Sequence, residues 1–592
     1  MRTPASSESA SARPWTTGIL LVALALALRL LFWQATADAA WPYSAWYKGD
    51  AATWLEWAQA IEASRPFEVG LPIRPPGAAY LIAAISDGET AGIPVLKTIW
   101  CLLGALTVGL LYAAVLRAFG TGLATGVGLL CAASTGLMIL ATSLNNETPY
   151  LALLAAILAL WEPVRRRQGA LLLALWSLLN GTACLVRAEH LLYFLLLLAY
   201  LVPTWSTARQ AAGWRSALGS LSLALAVFTL VLIPWHASAW SAIARFNTQP
   251  LTADPATEDA QRRVEALLSS ISWQPEALAE LETLPVATRR TARLFITATE
   301  GVRGRTTVGA GSLQILDQAF GAIPRRLPSH PFIAVYGGLN FHLANHSRAT
   351  GGFDRAPLER RPPLVGGPEQ YPLALIRHLP PAQLTLTYPP HLEAVTDGYR
   401  LGWEWIREHP RDFVRLAGQK LRIFWHGAAL GVGGYNLPLG LSGIRRRADM
   451  VAPQGGSVVV VWRAALLALV VAGAWIGHRQ PALFPWLAFL FSKLVITLAF
   501  FGYARQGASV IPVVMLLMCL AGNRLLTAVG DAWRRLPQRR RRWLVAAPAI
   551  LLLLVEAGRW ASRPEVTIDG RAIGASDPFP TADHRDRRIE LR

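Results

Sequence analysis

Charge is scarce in this sequence. Only 16% of its 592 residues are charged while 53% are hydrophobic, and the mean hydropathy is +0.35. A chain of that composition has too little polar surface for an ordinary soluble enzyme and belongs with polytopic membrane proteins. Carboxylates are scarcer still, 37 against 56 Lys and Arg, which leaves a net charge of +19. That excess does not point to nucleic acid. The arginines come in short clusters beside apolar runs, where membrane topology and anionic lipid account for them, and no nucleic-acid-binding motif is present. The four cysteines, Cys101, Cys131, Cys184 and Cys519, fall inside apolar runs without CxxC spacing. Neither a disulfide framework nor a zinc site is indicated by that pattern. Also missing are a dinucleotide-binding fingerprint, a P-loop, an HExxH and a G-x-S-x-G elbow, so soluble nucleotide-cofactor chemistry has no support and no cofactor is expected. No repeat of fixed period is found, which counts against a transporter built from inverted repeats.

What is present is a series of apolar runs of near-spanning length. They cover about Trp15 to Gln34, Ile93 to Leu116, Leu123 to Leu144, Thr148 to Trp161, Ala170 to Val186, Leu191 to Trp205 and Ala217 to Pro234. Four more follow at Val458 to Gly477, Ala482 to Gly502, Val510 to Ala528 and Trp543 to Ala557. Arg2 and Arg13 ahead of the first run hold the amino terminus in the cytoplasm. Ala35-Thr36-Ala37 has the form of a signal-peptidase site, but Arg29 interrupts what would be an uncharged core and has weight of its own as an intramembrane charge. Alternation then places Arg117, Arg165 to Arg167, Arg209 and Arg215 inside, and Asn145 to Glu147 and Arg187 to His190 outside. The expected fold is an all-α polytopic membrane protein of about eleven transmembrane helices with an extracytoplasmic mixed domain, its carboxyl terminus outside.

The domain plan has four parts. Residues 1–236 form an amino-terminal transmembrane module that includes a loop at 37–92. Residues 237–457 are polar and rich in Pro, Gly and Arg, with candidate helices at Glu258 to Ile271, Pro275 to Leu281 and Thr288 to Thr299. Residues 458–557 carry the last spans, and 558–592 form an extracytoplasmic tail in which Val566 to Gly570 reads as a short strand and turn.

The loop from Trp41 to Ser86 joins two hydrophobic runs yet carries carboxylates, tryptophans and Arg74-Pro75-Pro76-Gly77. Asp50 precedes a pattern in which Trp54, Trp57, Ala58 and Ile61 recur at i, i+3, i+4 and i+7, the spacing of a helix lying along a membrane surface. The Pro-Pro-Gly turn then redirects the chain into an apolar run too short to span. Topology collects Asp50, Arg74, Glu147, Arg187, Glu189, His190, Lys420 and Arg505 at the outer surface. Charges at membrane depth are expensive unless paired or hydrated, so acids and bases gathered on one side form a candidate site. Capping is a sufficient role for Asp50 and for Glu147, and interfacial snorkelling for Arg187, Lys420 and Arg505 singly; their shared location carries the functional reading.

The order of motifs resembles the GT-C glycosyltransferases, specifically glycosyltransferase family 39 and its protein-mannosyl- and aminoarabinose-transferase-like members. Gly49-Asp50, the amphipathic helix and Arg74-Pro75-Pro76-Gly77 are similar to the family's first outer loop; Ser143 to Pro149 is similar to its second acidic position; and Gly181 to Glu189 is similar to its Leu-x-Arg-Pro-Glu segment, with Ala188 in place of Pro. Pro234-Trp235 with Arg245-Phe246-Asn247, the stretch Gly337 to Phe353 with Asn340 and Asn345, His409 to Trp425 with Lys420, and Arg505 to Pro512 follow in family order over about residues 15 to 530. Between Asn247 and Gly337 lies a segment of about eighty residues that reads as an insertion, at 248–336.

The resemblance implies transfer of a sugar from a polyprenyl-phosphate donor to an extracytoplasmic glycan, lipid or protein, with inversion at the anomeric carbon, so that no soluble nucleotide sugar is required. Asp50 and then Glu147 are the implied catalytic carboxylates; Arg74, Arg187, Lys420 and Arg505 are the implied donor-phosphate ligands; Glu189, His190, Asn340 and Asn345 are further candidates. Ile73 stands where the aminoarabinose branch has an acid, so no metal ligand is expected, and dependence on a divalent ion stays open. The partners are the lipid donor, the bilayer and the acceptor, without nucleic acid, in a bacterial inner membrane. The alternative is a transporter or flippase for a lipid-linked or anionic solute, which would need polar groups at mid-bilayer and access from both sides.

Overall fold

The computed structural model describes residues 9–36, 50–64, 71–88, 92–166, 168–207, 213–248, 327–353, 357, 389–429, 457–534, 566–568, 571–572 and 589–591. Helix α1 (Ser9–Thr36) is followed by α2 (Asp50–Glu62) and α3 (Gly77–Ile85), which carry the loop, and by α4 (Ile93–Phe119). Pro94 in the first turn of α4 and Gly120 just past its end, at φ +88°, bound that helix as the start and stop rules require. Next come α5 (Thr121–Ala133), α6 (Thr135–Thr142), α7 (Glu147–Arg165), α8 (Ala170–Val186), α9 (His190–Thr207) and α10 (Gly213–Thr248).

Among the described residues, four helices are long and apolar enough to cross a bilayer: the Pro14–Trp33 part of α1, and α4, α7 and α10. Shorter apolar helices at α8, α9 and three carboxyl-terminal positions accompany them. The chain is an integral membrane protein. The run expected as one span at 123–144 is instead two helices, α5 and α6, bent by 57°. Ser134 makes the break by capping α6, its hydroxyl accepting from the Leu137 amide at 3.4 Å. Arg29, buried on α1, donates to Ala25 O at 2.9 Å and, across the bend, to Ala132 O at 3.4 Å. The intramembrane charge noted in the sequence therefore serves carbonyl oxygens, one of them at the break. The last span expected, 543–557, and the candidate helices of 258–299 lie outside the described residues.

Helix α10 runs past its expected end at Pro234 to Thr248. There Asn247 and Leu327 bond reciprocally, side-chain amide to carbonyl at 3.0 Å and backbone amide to side-chain oxygen at 2.7 Å. Asn247, at the start of the segment read as an insertion, is thus joined to Leu327 near its far end. Beyond it lie α11 (Tyr336–Ala344), α12 (Pro389–Thr396), α13 (Gly398–Glu408) and α14 (Pro410–Ala428), with α13 and α12 packed on α11. Helices α15 (Ser457–Gly477), α16 (Phe484–Ala499), α17 (Ala504–Ala508) and α18 (Ile511–Arg534) follow. In the tail, β1 (Val566–Ile568), β2 (Arg571–Ala572) and β3 (Ile589–Leu591) form an antiparallel sheet in the order β2-β1-β3, with Ile568 opposite Arg571 and Ile589.

Two contacts position the site. Helix α14 packs on both α16 and α17. The backbone approach is so close that a Cβ on Gly502 would run into Lys420 O, and one on Gly507 into Phe424 O. At the other end, a Cβ on Gly77 would lie 2.9 Å from the Leu185 carbonyl carbon, so the Arg74-Pro75-Pro76-Gly77 turn abuts the end of α8. Overpacking of this kind costs about 1–3 kcal/mol. Gly502→Ala should therefore lower the thermal midpoint of the detergent-solubilised protein; an unchanged melt would show that the α14–α17 seam yields without strain.

Candidate active site

The α8–α9 hairpin is closed by three residues, Arg187, Ala188 and Glu189, and this short turn brings charge to the end of α7. Arg187 Nη1 donates to Glu147 Oε1 at 2.7 Å, and Arg187 Nε donates to Glu189 Oε1 at 2.9 Å. Lys493 on α16 closes on the same Glu189 oxygen at 2.5 Å, and Arg505 Nε on the same Glu147 oxygen at 3.1 Å. Five side chains from three helices and one turn thus make a chain of alternating sign, Lys493, Glu189, Arg187, Glu147, Arg505. Among the described residues, three cations meet two carboxylates here.

Burial is uneven along the chain. Glu147 is 0% exposed, Lys493 2% and Arg187 8%, whereas Glu189 is at 20% and Arg505 at 36%. The open end is Arg505. Burial alone would push the Glu189 carboxyl up, but Arg187 and Lys493 outweigh it and hold it well below the usual range. Burial likewise opposes the Arg187 cation, and Glu189 and Glu147 overcome that, raising its hold on the proton. Asn146 Oδ1 accepts a further, longer bond from Arg187 at 3.4 Å. Glu147 Oε2 is buried and has no hydrogen-bond partner.

Behind the ion pairs sits His190. Its Nε2 meets Asn180 Oδ1 at 3.0 Å and its Nδ1 meets the Tyr150 hydroxyl at 3.1 Å. With the amide oxygen facing Nε2, the proton resides there and Tyr150 donates to Nδ1, which describes a neutral ring. The Tyr150 face also carries Lys493, whose Nζ is 4.8 Å from the ring centroid.

A second group forms around Lys420. Its ammonium, buried on α14, donates to Asn345 Oδ1 at 2.8 Å and to Leu498 O at 3.0 Å. The Asn345 amide in turn donates to Phe341 O at 2.8 Å and Ala499 O at 2.9 Å. All of these acceptors are neutral, and burial pushes Lys420 down to about 7.

The sequence candidates therefore divide. Glu147, Arg187, Glu189 and Arg505 are brought together, with His190 directly behind. Lys420 and Asn345 bond each other, and Gly502-Tyr503-Ala504 leads from their site to Arg505. Arg74 lies 5.8 Å over the Tyr336 ring, on the turn that abuts α8. Asn340 is half-buried on α11 and makes no hydrogen bond to either group. Asp50 is the first residue of α2, as the helical pattern required, and its side chain lies outside the described residues. Lys493, Tyr150 and Asn180 were not singled out in the sequence. A lone Lys inside an apolar run is the signal that marks Lys493, as it marked Arg29. Among the described residues no three His, Cys, Asp or Glu side chains converge as a metal site would need.

No protein-family model and no curated protein matches the chain. Two solved structures are similar to it. One is the archaeal oligosaccharyltransferase AglB from Archaeoglobus fulgidus in complex with an inhibitory peptide and a dolichol-phosphate, at 12% identity and TM-score 0.42 over 94% of this chain. The chain spans only 56% of that protein. The other is ArnT from Cupriavidus metallidurans bound to undecaprenyl phosphate, at 14% identity and TM-score 0.30 over 85% of this chain and 77% of that one. The chain is similar to both and is identified with neither.

Lys420 sets a pH dependence. Its ordinary value of 10.5 applies to the unfolded chain, so between about 7 and 10.5 the unfolded state binds the extra proton. Its contribution to stability therefore rises with pH through that window and is lost as pH falls toward 7. Subtracting the melting profile of Lys420→Met from that of the wild type should leave a positive slope with pH; a flat difference would mean that Lys420 stays charged in the fold.

Proposed function

We propose that the protein is a membrane glycosyltransferase that moves a sugar from a polyprenyl-phosphate donor to an acceptor at the outer face of the membrane, with inversion. The observation that carries the reading is the ion-pair chain ending in Arg505. It holds two arginines on one buried carboxylate among apolar helices, and its Arg187 lies one residue beyond the α8 end against which the Arg74 turn packs. A lipid monophosphate departing from a sugar develops negative charge on its oxygen. Fixed cations in a water-poor site stabilise that charge without having to reorganise.

The step balances as a single displacement. The acceptor oxygen attacks the anomeric carbon, the bond from that carbon to the phosphate oxygen breaks, and the electron pair leaves with the polyprenyl phosphate. The acceptor proton passes to a carboxylate. Asp50 is assigned this role because it opens the amphipathic helix α2, packed on α3 immediately after the turn. Glu147 is assigned a different one: two arginines converge on its Oε1, so it sets their positions. Arg505 and Arg74 face the phosphate. The donor's prenyl chain lies along the apolar helices, and no soluble nucleotide sugar is required.

Asp50→Asn should abolish transfer from a radiolabelled polyprenyl-phosphate sugar to cell-envelope acceptor while membrane insertion is retained. Full activity in that variant removes Asp50 from the base role. Arg74→Gln should raise the donor KM more than it lowers kcat, and an unchanged donor dependence would detach Arg74 from the phosphate.

A further inference from the structure

We infer that Trp235 is a positioning residue for Arg74, acting through a strap of chain from Leu327 to Tyr336 that runs back along α10 to the Arg74 turn. The inference rests on the reading of Arg74 as a phosphate ligand. It also gives a task to Pro234-Trp235 and Arg245-Phe246-Asn247, a motif that the ion-pair chain does not use. A stretch outside helix and sheet must find partners for its amides and carbonyls elsewhere. Helix α10 supplies them in reverse order. Asn247 holds both the amide and the carbonyl of Leu327, at 2.7 and 3.0 Å. The Trp240 indole donates to Pro331 O at 3.4 Å, and its ring meets His330 edge-on at 4.8 Å. The Trp235 indole donates to Ile333 O at 2.8 Å.

The strap then ends on the turn itself. The Val335 amide donates to Pro72 O at 2.9 Å, and the Arg74 guanidinium lies 5.8 Å over the Tyr336 ring. Pro72 is the centre of a three-residue turn closed by Ile73 N and Leu71 O at 2.8 Å, so a bond to its carbonyl fixes the backbone that leads into Arg74. Leu71, Ile73, Leu327 and Val335 share one buried apolar cluster with Ile243 of α10. Trp235 is the junction. Its bond to Ile333 lies just ahead of Val335, and its ring packs on Trp57 of α2 with centroids 6.2 Å apart. One side chain therefore touches both the helix that Asp50 opens and the strap that reaches Arg74. On its far side the turn is pinned where Gly77 abuts Leu185 of α8. Held at Pro72 and at Gly77, Arg74 is set in place before a phosphate arrives; released at Pro72, it has to be ordered by the ligand, which costs affinity.

The test is binding of undecaprenyl phosphate to the full chain in detergent, compared among the wild type, Trp235→Phe, Val335→Pro, Arg74→Gln and the doubles that combine each of the first two with Arg74→Gln. Trp235→Phe removes the indole N–H and keeps a ring against Trp57. Val335→Pro removes the amide that reaches Pro72, at a φ of −77° that proline adopts, and leaves α10 untouched. Each should weaken binding about fivefold, the size of one lost hydrogen bond. Neither should weaken Arg74→Gln further, because the arginine they position is gone. A purely structural role gives another pattern, either the same loss with and without Arg74 or a lower melt with unchanged binding, and each of these overturns the inference. If Trp235→Phe cannot be recovered folded, Val335→Pro decides: a loss confined to protein that carries Arg74 supports the strap, and an equal loss in both backgrounds refutes it. A wild type that does not bind undecaprenyl phosphate overturns the proposed function, and the Trp235 role with it. A wild type that binds, alongside equally strong Trp235→Phe and Val335→Pro, overturns the Trp235 role alone.

Discussion

Arg187 is bound to two carboxylates at once, and much of the packing around it follows from that bond pattern. A guanidinium has donors enough to satisfy both acids, but neither acid is neutralised by a shared cation alone. Lys493 and Arg505 complete the balance. They come from the carboxyl-terminal helices, whereas Glu147, Arg187 and Glu189 come from the amino-terminal ones. The two parts of the chain are therefore held together by charge that neither part could bury by itself, on top of the apolar contacts between them.

The close backbone approaches serve the same end. Gly502 and Gly507 let the strand of chain around Arg505 lie directly against α14, where Lys420 is held by neutral acceptors. Gly77 does the same for the Arg74 turn against α8. Two kinds of buried base result. Arg187 stands beside carboxylates, which favour its charged form; Lys420 stands among carbonyl oxygens, and burial favours its neutral form.

The Arg29 interaction shows how the same rule operates away from the site. A single charge on α1 is tolerated because the bend between α5 and α6 exposes a carbonyl to it, and because Gly104 leaves room, where a Cβ would come within 2.8 Å of the guanidinium Nε. The expected single span across 123–144 could not have revealed this, since hydropathy averages over the bend. Ser134 was the local sign of it, a residue whose hydroxyl competes for backbone amides.

By itself the amino-acid sequence determined the membrane class, most helix positions, and the gathering of acids and bases near helix ends. These depend on local quantities: run length, the period of apolar residues, turn-forming prolines and glycines, and the placement of charge relative to apolar runs. Ala170–Val186 was legible to the residue, and the strand at Val566–Ile568 was legible from its turn. Only the tertiary structure decided the pairings. Lys493 reaches Glu189 across 304 residues, and Arg505 reaches Glu147 at the start of α7. No spacing rule encodes such partners, because each is chosen by which helices pack together and by the need to leave no buried charge uncompensated.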